Sequence, residues 1–108
     1  MTSEYCVAMT TLEDEDSASR LARAVVEAKL AACVQLMHIR STFCWEGAVE
    51  DAREVLVLIK TRIGVYERLE QFVRDIHPYD VPEILQIPVT SGYGPYLSWV
   101  DDNTTATD

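Results

Sequence analysis

The five residues Val55-Leu56-Val57-Leu58-Ile59 are all apolar. Alternate side chains of a β-strand point to opposite faces, so a run that is apolar at both parities predicts a strand buried on both sides. Helices of the same chain can cover one side. The other needs a second cover, and 108 residues suffice for only a single domain over positions 1–108. Self-association is the simplest answer, because each large aliphatic side chain left wet forgoes roughly 1.5–3 kcal/mol.

Around that run the apolar spacing alternates between strand and helix. Tyr5 to Thr10 reads as a first strand. The acidic cluster Glu13-Asp14-Glu15-Asp16 supplies N-cap and first-turn residues for a helix with Ala18, Leu21, Ala22, Val25 and Ala28 at helical spacing. An extended run from Ala32 to Trp45, a turn at Glu46-Gly47 and a second run from Val49 to Thr61 predict one long hairpin. Val65, Leu69, Phe72, Val73 and Ile76 mark a second helix stopped by Pro78, and Ile84 to Val89 makes a fourth strand. This is the α+β, ferredoxin-like β-α-β-β-α-β order, with both helices on one face of an antiparallel sheet and the other face bare in a monomer. A C-terminal extension follows, and its polar residues from about 101 predict a flexible tail.

Composition removes several classes of function. Nine Lys plus Arg against eighteen Asp plus Glu give a formal charge of −9, which disfavours nucleic acid and anionic membrane as partners. Val55 to Ile59 also lacks the aromatic residues of an RNA-binding sheet. No apolar run nears the ~20 residues of a bilayer span, and Met1-Thr2-Ser3-Glu4 lacks the basic start of a signal peptide, so a cytoplasmic protein is expected. Cys6, Cys33 and Cys44 show no CxxC spacing and read as small buried hydrophobes in a reducing compartment. GxSxG, HExxH, GxGxxG and Walker patterns are absent, and only His38 and His77 are available as neutral-pH bases. A protein that is not an enzyme is expected, with His38 a solvated or hydrogen-bonded strand residue.

Several motifs, in order, then carry a resemblance over nearly the whole chain. They are Leu30-Ala31-Ala32-Cys33-Val34, the hairpin Ser41-Thr42-Phe43-Cys44-Trp45-Glu46-Gly47, Glu54 with Lys60-Thr61, His77-Pro78-Tyr79-Asp80-Val81-Pro82-Glu83, and Tyr96-Leu97-Ser98-Trp99. Together they resemble the CutA, or divalent-cation tolerance, family. The resemblance implies a homotrimer with sheets facing inward, similar to the PII signalling proteins, and a role in tolerance of or response to copper and other divalent cations. Cations or small ligands would bind at clefts between subunits. It also implies metal positions: where copper-binding members carry a Cys and a His-His pair, this chain has Met9, Ile76 and His77. Copper or another divalent cation is therefore expected to bind weakly. The alternative is a PII-like structural or signalling trimer that binds a metabolite or partner protein, with no physiological metal role.

His77 has three readings: closing the second helix, holding a metal with Asp80, Glu83 and Met9, or acting as a base. Tyr79 and Glu83 sit on a loop stiffened by Pro78 and Pro82, which suits a binding surface. Trp45 and Trp99 are candidates for packing between subunits or for lining a ligand cleft. Lys60 is expected to pair with Glu54 or Glu83, or to meet a small anion.

Overall fold

The computed structural model describes residues 4–105. Six elements follow in the expected order: β1 (Tyr5–Leu12), α1 (Glu15–Glu27), β2 (Cys33–Trp45), β3 (Ala48–Arg62), α2 (Tyr66–Ile76) and β4 (Ile84–Val89). A further helix, α3 (Gly94–Asp102), occupies what the sequence marked only as an extension. The strands form one antiparallel sheet in the order β2-β3-β1-β4.

Local chemistry sets the ends of these elements. Asp14 caps α1 by accepting the Ser17 N–H at 2.7 Å, and Glu15 and Asp16 place negative charge in the first turn. The helix closes in a Schellman pattern: the Lys29 N–H meets the Val26 carbonyl, the Leu30 N–H meets the Val25 carbonyl, and Lys29 takes the left-handed φ of 60°. Leu30 and Ala31 are thereby turned into the core. The hairpin reverses over Glu46 (φ 49°) and Gly47 (φ 81°), the positive-φ pair of a type I′ turn. That two-residue loop fixes the register, with Trp45 opposite Ala48 and Cys33 opposite Lys60.

One face of the sheet carries the core. Ala8, Leu12, Val55, Val57 and Ile59 pack with Ala18, Leu21 and Val25 of α1 and with Leu69 and Val73 of α2. At the other parity Leu56 and Leu58 are only partly buried, and Met37 and Leu85 on the same face are 53% and 51% exposed. The run Val55 to Ile59 is thus fully covered on one side only. Past Ile39 and Glu54, β2 and β3 pair with nothing but each other, so the hairpin projects beyond the sheet and lengthens the molecule to 44 Å.

Two expectations need correction. The tail does not begin at Asp101: Asp101 and Asp102 belong to α3, and Thr104 is buried. Arg62 Nε donates to Thr104 Oγ1 at 2.8 Å, its guanidinium also donates to the Thr105 carbonyl, and the Thr105 N–H meets the Lys29 carbonyl at 2.7 Å. The remaining tail residues, 106–108, lie outside the described residues. Of the cysteines, Cys6 is buried as expected, but Cys33 is half-buried and Cys44 is exposed, because it lies on the part of the hairpin that projects past the helices. No helix among the described residues is long and apolar enough to cross a membrane.

Candidate functional site

The projecting hairpin and the loop after α2 enclose a cleft of about 870 Å³. From the hairpin come Ser41, Thr42, Phe43, Trp45, Ala52, Arg53 and Glu54; from the loop come Tyr79, Asp80, Val81 and Glu83; Thr11 and Glu13 close the end at β1. The pleat explains part of this set. Ser41, Phe43 and Trp45 share one face of β2, and they lie opposite Ala52, Glu50 and Ala48 on β3.

His77 holds the loop against the sheet. Its backbone N–H closes α2 on the Val73 carbonyl at 2.9 Å, but its ring leaves the helix for β1. Nε2 lies 2.8 Å from the Thr11 carbonyl, and Nδ1 accepts the Tyr79 N–H at 3.2 Å. A carbonyl partner requires Nε2 to carry the proton, and an amide donor requires Nδ1 to be bare, so the partners fix the tautomer. The Tyr79 ring then stands edge-on to the imidazole at 4.7 Å. Burial pushes the Tyr79 phenol above its usual range, with Glu54, Glu13 and Asp14 adding to the shift, so negative charge on two segments, β3 and the β1–α1 link, is felt at one hydroxyl.

Of the sequence candidates, Trp45, Tyr79, Asp80 and Glu83 meet in this cleft, and the others stand elsewhere. Met9 lies on the open sheet face between Leu58 and Leu85, an aliphatic setting. Trp99 lies on α3, 43% exposed and 5.6 Å from the Tyr96 ring. Lys60 donates to Gln35 at 2.7 Å, and not to either acid expected for it. Glu54 is six residues away along the same strand, about 20 Å at the usual rise. Glu83 precedes Ile84, which pairs with Thr10, whereas Lys60 pairs with Val7 nearer the opposite end of β1.

The expected metal set of His77, Asp80, Glu83 and Met9 does not converge, and both ring nitrogens of His77 are already engaged. Among the described residues no three His, Cys, Asp or Glu side chains are grouped to hold one ion. His38 has the ordinary strand role expected of it, its Nε2 lying 2.9 Å from Glu15 Oε1. Sequence reasoning took Glu13 for a capping acid and did not select Arg53. The signal was available in part, since Glu13 lies just past β1 and Arg53 lies on the arm that the turn carries beyond the sheet.

The sheet, its helical layer and the arm bordering an acidic, aromatic-edged cleft define a small α+β module whose distinctive chemistry is concentrated beside the hairpin. Residues 6–103 match the family model described as CutA1 divalent ion tolerance protein, and the chain belongs to that family. It is 46% identical over 98 residues to mouse "Protein CutA", a match covering 90% of this chain and 55% of the mouse protein, so it spans little more than half of that relative. With the "Divalent-cation tolerance protein CutA" of Thermus thermophilus it shares 38% identity over 99 residues, covering 91% of this chain and 96% of the relative. The crystal structure of CutA1 from the psychrotrophic bacterium Shewanella sp. SIB1 superposes with a TM-score of 0.93 at 41% identity, covering 98% of this chain and all of that one.

Proposed function

We propose that the protein is a homotrimeric binding module of cation tolerance, that it takes its ligand in the cleft beside the hairpin, and that it is not an enzyme. The observation that carries this reading is the meeting of Glu13, Glu54, Asp80 and Glu83 with Trp45 and Tyr79 around one cavity. Carboxylates from separate segments favour a positively charged occupant, and the aromatic rings give it an apolar wall. The names of the relatives, which include divalent-cation tolerance, point the same way. Copper or another divalent ion is then a weakly held ligand, because no three His, Cys, Asp or Glu side chains among the described residues are grouped to chelate it.

Trimerisation is supported by the uncovered parity of the sheet and by the projecting arm. A two-stranded arm by itself is marginal in water, and docking on a neighbouring copy would stabilise it. Such docking would turn the cleft into a site between subunits. A cytoplasmic setting is supported by three free thiols, and the charge of −9 supports the absence of nucleic-acid or membrane partners. The second reading, a trimer that senses a metabolite or partner protein without a metal role, is favoured by the lack of a chelating group of His, Cys, Asp or Glu among the described residues.

Sedimentation equilibrium at micromolar concentration, combined with calorimetric titration of a Glu83→Gln variant, tests the proposal. About three chains per particle are expected, with weaker cation binding in the variant and an unchanged melting temperature. A monomer, or a marked loss of trimer stability with binding intact, would refute the site as described.

A further inference from the structure

We infer that the cleft takes an organic cation carrying two or more ammonium groups on an apolar chain, of which a linear polyamine is the simplest form. This rests on the cleft reading above and names the chemistry of the occupant. Four acidic residues, Glu13, Glu54, Asp80 and Glu83, line the cavity with Arg53 as the one basic residue in its lining, a balance that favours positive charge. Their distribution selects its shape. They come from the β1–α1 link, from β3 and from the α2–β4 loop, and no three acidic, His or Cys side chains among the described residues are grouped around one point. A calcium or magnesium ion needs about six or more oxygens close around a single centre, and copper or zinc needs several convergent His, Cys or carboxylate ligands. Carboxylates spaced along the walls can each meet a different ammonium group.

Two further observations favour an organic occupant. Phe43, Trp45 and Tyr79 stand on the same walls, and aromatic faces attract both ammonium groups and the methylenes between them, whereas a hydrated metal ion gains little from such contact. The cavity, about 870 Å³, is in the range of small-molecule sites. The Tyr79 phenol is raised first by burial and then by Glu54, Glu13 and Asp14, in keeping with acidic side chains near that wall.

Titration calorimetry of the whole protein at about 0.15 M salt, with spermidine, magnesium, copper(II) and ATP as separate probes, tests the inference. Saturable spermidine binding is expected, about tenfold or more tighter than magnesium. It should weaken about tenfold in Trp45→Ala and in Glu54→Gln, and be retained in Trp45→Phe, which keeps an aromatic face. Spermidine that binds no more tightly than magnesium, or that ignores all these substitutions, is diffusely attracted to an acidic chain, and the inference falls. If an inorganic cation or ATP instead binds saturably and only it responds to Trp45→Ala, the polyamine assignment falls while the cleft stands. Failure of every probe to saturate overturns both.

Discussion

The imidazole Nε2–H of His77 donates to the backbone carbonyl of Thr11 at 2.8 Å, tying the end of α2 to β1. Because Nδ1 accepts the Tyr79 N–H, one ring braces both the strand end and the loop that border the cleft. No lone pair is left for a metal without breaking one of these bonds.

His77→Ala is therefore expected to destabilise the protein by about 1–3 kcal/mol, through two lost hydrogen bonds and a small cavity at a buried position. Copper(II) affinity, expected to be micromolar or poorer, should not change. Urea unfolding and copper titration of the same variant check both halves. A tight copper site that disappears with the histidine would show that the ring is a ligand and not a brace.

Arg62 holds the end of the described chain. Its side chain is 18% exposed and bonds to Thr104 and the Thr105 carbonyl, with Asp101 at 3.7 Å. Charge-assisted bonds of this kind, partly shielded from water, are each worth about 1.5–3 kcal/mol at most. Arg62→Ala should cost about 2 kcal/mol and release the Thr105 amide from the Lys29 carbonyl. Hydrogen exchange then has a clear reading: fast exchange at Thr105 in the variant and slow exchange in the parent chain. Equal rates would mean that the arginine does not hold the tail.

The sheet was legible because its signal has period two and its register is set by a two-residue turn. Counting back from Glu46-Gly47 places Cys33 opposite Lys60 and Gln35 one step along the same face, so the Lys60 to Gln35 bond was within reach of the sequence. The acids expected for Lys60 were chosen by charge, and charge carries no distance. α3 escaped because its residues, Gly-Pro-Tyr-Leu-Ser-Trp-Val-Asp-Asp, show no apolar stripe. Its one start signal is Pro95 near the first helical position. The loop half of the candidate site could be read from two prolines and an acidic aromatic motif. Glu54 could not, since its approach to Tyr79 depends on how far the hairpin overhangs the sheet, and Glu13 was marked only by its position just past β1.

Alkaline pH should weaken the fold in two overlapping steps. Burial pushes the Cys6 thiol up to about 11 from an ordinary value of 9.0. The Tyr66 phenol rises from 10.0 to about 12, first through burial and then through its bond to Glu70. Both groups are neutral when protonated, and the unfolded chain loses these protons at lower pH than the folded one. Stability from each is therefore complete below its ordinary value and is lost as pH rises toward the folded one, over 9 to 11 for Cys6 and 10 to 12 for Tyr66. The urea midpoint should fall across this range, and Cys6→Ala should remove the earlier part of the fall. A flat profile between pH 9 and 11 in the parent chain would contradict the burial of the thiol.

Leu56 and Val57 are neighbours in sequence that lie on opposite faces of the sheet. Val57 is fully buried beneath the helices, whereas Leu56 points to the open face beside Met37, its partner on β2. An unpaired carboxylate costs several kcal/mol in either apolar setting, but the cost falls on different equilibria. Val57→Asp places the charge in the core of the subunit and should prevent folding, read as loss of the far-ultraviolet dichroism of a native sheet. Leu56→Asp leaves that core intact and should yield a folded subunit that sediments as a monomer at micromolar concentration, where the parent chain is expected to sediment as a trimer. Leu56→Ala should keep the trimer but lower its stability by about 1–3 kcal/mol per subunit, because apolar burial is lost without a stranded charge. If Leu56→Asp assembles as the parent does, the open face is not where the copies meet.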